Sequence, residues 1–563
     1  MVKPYFLYII IAFLSLSGVN AQKNKLLSKK IIEQKIDSIF SDFNDLNKPG
    51  AAVAVTYKGK IAFKKGYGSA NLEYGIPITP NTIFNIASVS KQFTVFAILL
   101  LAEQGKLSLD DDIHKYVPEV PDFKNPITLR HLASHISGLR DQWYLLGMAG
   151  WRDEDLKNND DILRLVSHQK ELNFDPETDC QYSNTGFTLL AEVVSRVSNQ
   201  SFAKFTKSHI FIPLQMLNTQ FVDDIEKPIK NIAYSYHIDS TGYKKSTFNN
   251  SCVGPTNLYT TVEDMSSWAM NFSSLKVGSE NLIKEMNTPA KLRNGKIVDA
   301  ALGQFIDNYK GLKEIYHEGL DAGYRTYFSR FPDQNFSIIV ITNSISSNPN
   351  YLAKQVTNLY LKDDFTEAIN SSSLEKINSI QLNNNQLTKF TGHYWNNKKL
   401  NSRTIYIKND TLRYSRSENN ESPLIPIEKN KFQMLGSQKD LKVVFANKQM
   451  TVIIDEQDST TLKFYEPKTY SIDELKEYAG TYYSEELQTY YTFIPKENKL
   501  ELNNIRIGTI DFFPIKKDFF QDQGKWEYSS FEFVRDNDSK IKGVRFSSFG
   551  AERIKNLWFK KVR

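Results

Sequence analysis

The last third of this 563-residue chain repeats itself, and the repeat leaves few architectures open. A Leu-x-x-aromatic-x-Gly-x-Tyr motif begins at Leu387 and again at Leu475, an offset of 88 residues. The same offset pairs identical residues further along: Lys408 with Lys496, Leu412 with Leu500, Pro426-Ile427 with Pro514-Ile515, Phe432 with Phe520 and Phe445 with Phe533. Because all these matches share one register, they indicate two duplicated units.

Each duplicated unit consists of short strand-like runs that end at Gly, Asn-Asp or Lys-Asn turns, without long helical periods. Units of about 85 residues with roughly seven or eight short strands are typical of small antiparallel barrels. We therefore predict two all-β, barrel-like repeats at residues 384–467 and 470–563. A polar, irregular linker at residues 366–383 precedes them.

Residues 22–365 have a different pattern, in which helices are mixed with strands. Apolar residues recur at a helical period between Leu26 and Phe43. The pattern further predicts strands at Ala51–Tyr57, Lys60–Tyr67 and Phe336–Thr342, and helices at Ser88–Gln104, Phe187–Val197 and Tyr351–Leu361. These elements favour an α+β domain in which helices flank a mostly antiparallel sheet.

The N-terminus has the pattern of a secretory signal peptide. Lys3 supplies a positive charge, Tyr5 to Leu16 are apolar, and small residues precede Gln22. As a helix, the apolar stretch would span about 18 Å, well short of the roughly 30 Å hydrocarbon core of a bilayer. We therefore predict that residues 1–21 are removed near Ala21, which leaves a periplasmic or secreted chain without a membrane contact. An uncleaved anchor is the alternative.

Charge and cysteine content exclude some classes of function. The net charge is +6, from 70 Lys and Arg against 64 Asp and Glu, an excess too small and too evenly spread to indicate a nucleic-acid partner. Two cysteines cannot form a disulfide scaffold or a cysteine-only zinc site. We expect Cys180 and Cys252 to be separate thiols, although a secreted chain could join them.

A Ser-x-x-Lys pattern at Ser88 and Lys91 suggests covalent catalysis. The pattern occurs six times, but here the serine opens a predicted helix whose interior is nearly all apolar. Lys91 lies one turn later on the same face, and burial lowers the pKa of an amine because it disfavours the charged form. Lys91 could then take the proton from the Ser88 hydroxyl. The alternative is a helix-capping serine followed by a surface lysine.

Two further motifs contain polar groups suited to the same chemistry. Tyr182-Ser183-Asn184 stands just before a predicted helix. His317-Glu318-Gly319 is the only His-x-Gly among the eight histidines, near the start of a predicted strand. Strand alternation places His317 and Gly319 on one face, where the glycine would leave room for a substrate backbone. A buried tyrosine and a satisfied core histidine are the alternatives.

In this order, the three motifs resemble those of the serine β-lactamase and penicillin-binding-protein superfamily. The stretches at residues 105–111, 132–139 and 258–265 also resemble signatures of that family, and the resemblance covers about residues 45–360. Many members have Lys-Thr-Gly as the third motif. His-x-Gly is similar to the D-aminopeptidase, esterase and class C-related branch. Asn257 and Gln215 stand where the family often has glycine.

The resemblance implies roles for the residues of the first two motifs. Ser88 is expected to be the acylated nucleophile and Lys91 its proton acceptor. Tyr182 would relay protons, and Asn184 would orient Lys91 and bind a substrate amide. No cofactor or metal ion is implied.

The third motif would complete the site. His317 is expected to supply a donor near Tyr182, and the backbone N–H groups of Ser88 and Leu320 would form the oxyanion hole. Gly319 would contact the substrate. Glu318 and Asp321 flank Gly319, so an acidic rim could favour a free amine over a carboxylate. The alternative is that Glu318 points to the other face of the strand, with Arg325 close by in sequence.

The function implied is hydrolysis, through an acyl-enzyme, of a small amide or peptide that contains a D-residue, such as a peptidoglycan fragment. A D-aminopeptidase or a D-Ala-D-Ala carboxypeptidase would fit this description. A carboxylesterase of the same fold and a penicillin-binding sensor without turnover are the alternatives. The barrels could bind cell wall, cover the cleft or form a homodimer interface.

Overall fold

The computed structural model describes residues 30–563 except 248, 367–378, 418–419, 437–439, 455–457, 523–528 and 549–552. The predicted signal peptide at residues 1–21 and most of the predicted linker lie outside these residues. In the part of the chain that the structure describes, no helix is long and apolar enough to cross a membrane.

The N-terminal domain, which comprises the described residues up to 366, contains most of the helices. These are α1 (residues 30–39), α2 (Lys91–Glu103), α3 (Leu129–Ala133), α4 (Gln142–Met148), α5 (Asn159–Ser167), α6 (Thr185–Ser198), α7 (Phe202–Thr206), α8 (Val262–Ser274), α9 (Glu280–Met286) and α10 (Pro349–Leu361). Two short helices, α11 (Asn384–Leu387) and α12 (Ile472–Leu475), each precede one barrel.

The strands of the N-terminal domain are β1 (Ala51–Tyr57), β2 (Lys60–Tyr67), β3 (Ser69–Asn71), β4 (Ile76–Pro77), β5 (Phe84–Asn85), β6 (Gln220–Phe221), β7 (Tyr236–Asp239), β8 (Gly242–Lys245), β9 (Leu258–Thr260), β10 (Ala300–Ala301), β11 (Gln304–Tyr309), β12 (Leu312–Asp321), β13 (Tyr324–Phe331) and β14 (Phe336–Thr342). Seven of them form an antiparallel sheet in the order β10-β11-β12-β13-β14-β1-β2. This α+β arrangement confirms the predicted fold class.

The central strands explain why this sheet is covered on both faces. β14 is buried along its whole length, so the side chains on both of its faces must pack against other residues. On β1, Val53 and Val55 belong to one apolar cluster together with α1 and α10. Ala52 and Ala54 belong to another, which contains α2 and α8. The period-two alternation of the strand therefore separates the two helical layers.

The C-terminal region forms two closed antiparallel barrels of eight strands each. Barrel 1 comprises β15 (Gly392–Asn396), β16 (Asn401–Lys408), β17 (Thr411–Ser417), β18 (Asn420–Glu428), β19 (Lys431–Met434), β20 (Leu441–Ala446), β21 (Gln449–Ile454) and β22 (Asp458–Tyr465). Barrel 2 comprises β23 (Gly480–Ser484), β24 (Thr489–Lys496), β25 (Lys499–Asn504), β26 (Gly508–Lys516), β27 (Phe519–Gln521), β28 (Ser530–Arg535), β29 (Ile541–Ser548) and β30 (Ile554–Lys561).

The barrels confirm the repeat inferred from the sequence. The first five strands of barrel 2 each begin 88 residues after their counterparts in barrel 1. The short helix before each barrel begins with a capping box, at Asn383 in one copy and at Ser471 in the other. The domain boundaries that we assigned from the sequence remain predictions.

Two local expectations differ from the structure. Ser88 lies in a single 3₁₀ turn, Ala87–Ser90, ahead of α2, because Ala87 has a φ of +49° that an α-helix cannot accommodate. His317 lies in the middle of β12 rather than near the start of a strand, and β13 follows β12. The sequence pattern did not reveal the tight turn at residues 322–323 that separates these two strands.

Candidate active site

The turn that carries Ser88 is held in place by buried hydrogen bonds. Asn85 Oδ1 accepts from the backbone N–H of Ala87 at 2.7 Å, and the Ser90 hydroxyl donates to the Ala87 carbonyl at 2.5 Å. Positive φ is costly for alanine, so these bonds fix a conformation that the chain would otherwise avoid. They hold Ser88 at the wall of a cleft.

Lys91 is fully buried beside Ser88. Its Nζ lies 3.1 Å from Ser88 Oγ, 2.8 Å from Asn184 Oδ1 and 2.8 Å from the Pro255 carbonyl oxygen. Burial lowers the pKa of the Lys91 amine well below its usual value. A neutral amine donates its two hydrogens to the two carbonyl oxygens, which leaves the lone pair for the Ser88 proton. Lys91 therefore has the geometry of a general base.

Tyr182 lies beside Ser88, and the two side chains share a hydrogen bond. The Tyr182 ring lies 4.8 Å from Lys91 Nζ and 4.4 Å from the ring of His135, centroid to centroid for the rings. Burial raises the pKa of Tyr182 above its usual value, so the phenol is protonated at neutral pH. A protonated phenol can pass a proton along the chain of side chains but is not itself the base.

Asn184 is fixed by a carboxylate that the sequence analysis did not identify. Asp141 Oδ2 accepts from the Asn184 backbone N–H at 2.7 Å and from its Nδ2 at 2.8 Å. The amide oxygen of Asn184 must then face Lys91. Asp141 also caps α4 by accepting from the Trp143 N–H. Its place directly before a helix, after the stretch at residues 132–139, is a signal that could have identified it.

His317 differs from the expected hydrogen-bond donor. Its Nδ1 lies 2.5 Å from the carbonyl oxygen of Glu318, which can only accept, so Nδ1 carries the proton. Burial lowers the pKa of His317 to about 3, so the ring is neutral. Nε2 is buried and has no hydrogen-bond partner among the described residues. His317 therefore offers an acceptor at the cleft.

Gly319 serves packing rather than the close approach of a substrate. A Cβ at this position would lie 2.4 Å from the Ile86 carbonyl oxygen and 3.1 Å from the Ala87 side chain. Only glycine lets β12 come this close to the turn that carries Ser88. The expectation of space for a substrate backbone at Gly319 is therefore wrong, because the Ser88 turn occupies that space.

Leu320 has the placement expected of an oxyanion-hole residue. Asp321 and Tyr324 flank a two-residue turn, so their backbone groups form a hydrogen-bonded pair of the antiparallel ladder. The next pair, Leu320 and Arg325, is therefore a pair whose backbone groups do not bond to each other. The Leu320 N–H thus points away from β13. On that side β11 pairs with β12 only as far as Tyr316, so the strand edge at Leu320 is not covered by β11.

These groups line a cleft of about 1110 Å³ that also contains residues of barrel 2. Four acidic residues contribute to its wall: Asp153, Asp299, Glu318 and Asp321. Burial raises the pKa of Asp321 to about 6, and its carboxylate accepts from Thr256 Oγ1. Glu318 accepts from Asn350 Nδ2 at 2.8 Å and lies on the exposed face of β12, opposite His317. Of the two acids beside Gly319, only Asp321 is close to the catalytic groups.

The model of the Beta-lactamase family matches residues 36–357, more than half of the chain. The chain belongs to the Beta-lactamase family. The structure brings together Ser88, Lys91, Tyr182 and Asn184 within the matched residues, and their catalytic roles remain predictions. Within the residues that the structure describes, no group of three or more His, Cys, Asp or Glu is placed to hold a metal ion.

Curated relatives are similar in sequence, and a solved structure shares the fold. The chain is 27% identical over 331 residues to "Penicillin-binding protein 4*" of Bacillus subtilis (strain 168), covering 55% of this chain and 71% of that protein. It is 27% identical over 300 residues to a D-aminopeptidase of Gluconobacter oxydans (strain 621H), covering 53% of this chain and only 56% of that protein. The octameric penicillin-binding protein homologue from Pyrococcus abyssi has the same fold, with a TM-score of 0.54, 24% identity and coverage of 77% of this chain and 99% of that one.

Arg553 of barrel 2 is a cleft residue that no sequence pattern indicated, because it lies in the duplicated region, far along the chain from the three motifs.

The cysteines follow the sequence expectation. Cys180 and Cys252 are both free thiols, and burial raises the pKa of Cys180 to about 12.

Proposed function

We propose that the protein is a secreted serine hydrolase that acts through an acyl-enzyme on small amides or peptides containing a D-amino acid. The observation that carries this proposal is the buried Lys91 amine, 3.1 Å from Ser88 Oγ, with both of its N–H bonds directed to carbonyl oxygens. Secretion is inferred from the signal-peptide pattern of residues 1–21.

In the first half of the reaction, the Ser88 hydroxyl proton passes to Lys91 Nζ as Oγ bonds to the substrate carbonyl carbon. The backbone N–H groups of Ser88 and Leu320 bind the negatively charged oxygen. The carbon–nitrogen bond then breaks, and the leaving amine takes a proton that Tyr182 relays from Lys91. Ser88 is left as an ester.

In the second half, a water molecule loses a proton to the same Lys91 and Tyr182 unit and attacks the ester carbonyl. The bond between that carbon and Ser88 Oγ breaks, Oγ regains a proton, and the carboxylic acid leaves. A base that is neutral at rest is needed in both halves, and the burial of Lys91 provides it.

The polarity of the cleft favours a substrate with a free amine. Asp321 lies close to the catalytic groups, and the neutral His317 presents Nε2 as an acceptor for an N–H group. The similarity to a D-aminopeptidase points to the same substrate class. Fragments of peptidoglycan contain D-residues and free amines and are the natural candidates.

The test is a hydrolysis panel on the chain from residue 22 onward, with a Ser88→Ala variant. The panel contains a D-alanyl amide, its N-acetylated form, a D-Ala-D-Ala peptide, a short acyl ester and a chromogenic cephalosporin. We expect the D-alanyl amide to be the best substrate and Ser88→Ala to reduce turnover by several orders of magnitude. Intact-mass measurement after a fluorophosphonate should show one adduct, on Ser88.

Ser167→Ala is the matched control, because Ser167 opens another Ser-x-x-Lys pattern and its hydroxyl donates to the Arg164 carbonyl outside the cleft. It should retain wild-type turnover. Preferred cleavage of the acyl ester would make the protein a carboxylesterase. A stable adduct of the cephalosporin on Ser88, without turnover of any substrate, would make the protein a penicillin-binding sensor. Equal cleavage of the acetylated amide would contradict amine recognition.

A further inference from the structure

Barrel 2 reaches the catalytic groups through Arg553, which immediately precedes β30. Arg553 Nη1 donates to the backbone carbonyl of Tyr182 at 2.8 Å, and the guanidinium carbon lies 5.3 Å from the centre of the Tyr182 ring. Asn173 of the N-terminal domain holds this segment from the other side. Its Nδ2 donates to the Arg553 carbonyl at 2.8 Å, and its Oδ1 accepts from the Lys555 N–H at 2.9 Å. The position of Arg553 is thus set by both domains.

A buried ion pair fixes the second contact between barrel 2 and the active site. Arg140 is fully buried and pairs with Glu486, which is 6% exposed, at 2.5 Å. Arg140 also donates to the Lys555 carbonyl at 2.9 Å. Arg140 directly precedes Asp141, whose carboxylate orients Asn184. Barrel 2 therefore supports both the tyrosine and the asparagine of the catalytic centre.

The charges around Lys91 come from three parts of the molecule. Burial is the main cause of its lowered pKa. Asp141 at the start of α4 and Asp321 at the end of β12 raise the pKa of Lys91, whereas Arg553 of barrel 2 lowers it. The two histidines near Lys91, His135 and His317, have lowered pKa values and are neutral. Among the described residues, Arg553 is therefore a cation that favours the neutral amine.

We propose that Arg553 is a positioning residue of the active site, through which barrel 2 holds Tyr182 beside Ser88 and places a positive charge near Lys91. This inference rests on the proposed function, since it assigns Arg553 to the same reaction. It makes barrel 2 a part of the catalytic unit rather than a separate binding module. The hydrogen bond from Arg553 to the Tyr182 carbonyl is a contact within the protein itself.

The experiment measures the rate at which a fluorophosphonate modifies Ser88 as a function of pH, by intact mass. It uses the chain from residue 22 onward and needs no substrate. The labelling rate should fall at low pH, where Lys91 becomes protonated, and we call this part of the profile the acid limb. In Arg553→Gln we expect the rate at neutral pH to be about tenfold lower and the acid limb to move to higher pH, because loss of a cation raises the pKa of Lys91. Arg553→Lys should restore the position of the limb but only part of the rate.

Asp321→Asn provides a variant of opposite sign. Removal of this anion lowers the pKa of Lys91, so the acid limb should move to lower pH. Arg506→Gln is the matched control for a lost arginine at the same interface, because Arg506 pairs with Asp155 away from the cleft. It should follow the wild-type profile. Circular dichroism and gel filtration establish that every variant is folded.

An unchanged acid limb in folded Arg553→Gln would overturn the proposal. So would a loss confined to the KM of substrates with a carboxylate, because Arg553 would then be a substrate-binding group. If the wild type hydrolyses nothing in the panel while the labelling profiles move as expected, the proposed function fails and the role of Arg553 stands. The two inferences are thus tested separately.

Discussion

Barrel 1 and barrel 2 share a strand plan but differ in what they pack against. The apolar cluster inside barrel 1 is made of barrel residues and side chains just before it, as far as the described residues show. The corresponding cluster of barrel 2 includes Leu145 and Met148 of α4. Tyr491 of barrel 2 also donates its hydroxyl proton to the Met148 carbonyl at 2.6 Å. Barrel 2 thus shares a core with the N-terminal domain.

The 88-residue offset shows which positions account for the difference. Glu486 corresponds to Lys398, which pairs with Asp179 at 3.3 Å while its side chain is 78% exposed. Tyr491 corresponds to Arg403, which donates to the Tyr414 hydroxyl within barrel 1. Shared core residues such as Phe445 and Phe533 keep the barrel, whereas the differences at positions 486 and 491 determine whether a copy contacts the N-terminal domain.

The largest effect on stability and turnover is expected when Glu486 of the buried ion pair is replaced by lysine, the residue at the corresponding position of barrel 1. Glu486→Lys would place two cations together where Arg140 is fully buried. Loss of one partner of a buried pair costs about 3–5 kcal/mol, and the added charge increases this. We expect a large fall in the thermal midpoint and at least a tenfold loss of turnover, because Arg140 neighbours Asp141. Thermal unfolding and turnover of purified protein measure both effects.

Lys398→Glu is the matched exchange in barrel 1. This side chain is exposed, and exposed ion pairs contribute about 0–1 kcal/mol, so turnover should not change and stability should fall only slightly. Equal losses in the two exchanges would remove the distinction between the barrels.

A smaller effect is expected from cavities in the two barrel cores. Leu145→Ala and Leu424→Ala each remove a buried leucine, one from the shared cluster and one from barrel 1, at a cost of about 2–5 kcal/mol. Only Leu145→Ala should reduce turnover, because Leu145 lies in α4, which is capped by Asp141. Urea unfolding gives the stabilities, and turnover measured well below the transition gives the functional difference. A comparable loss of turnover in Leu424→Ala would show that barrel 1 also supports the site.

Much of the architecture could be predicted from local sequence. The turn at Lys58-Gly59 between two strand-like runs defined β1 and β2 to the residue, and β14 was recognised because it is mostly apolar. The repeat gave the two barrels because identical residues in one register need no knowledge of tertiary contacts. The three motifs identified the side chains that meet at Ser88, because each motif is recognised from residue types and their order in the sequence.

The remainder depends on contacts between distant parts of the chain. Arg553 and Tyr182 are 371 positions apart, and nothing in either segment indicates the other. The tautomer of His317 follows from a hydrogen bond to the neighbouring Glu318 carbonyl, which composition and periodicity do not specify. Gly319 was correctly noticed but wrongly explained, because the group that needs the space is Ile86 rather than a substrate.

The smallest difference is expected where the two copies have kept the same bond. Tyr394 donates to the Phe390 carbonyl in barrel 1, and Tyr482 donates to the Tyr478 carbonyl in barrel 2, both at 2.9 Å. Each bond ties a strand to the short helical segment that precedes it.

Tyr394→Phe and Tyr482→Phe should each cost about 0.5–1.5 kcal/mol, the usual net value of one intramolecular hydrogen bond. Neither should change turnover, because neither hydroxyl touches the N-terminal domain in the residues described. Urea unfolding of both variants, with turnover as the second measurement, provides the comparison. If Tyr482→Phe alone impaired turnover, the active site would depend on the internal order of barrel 2 as well as on its contacts through Arg553 and Glu486.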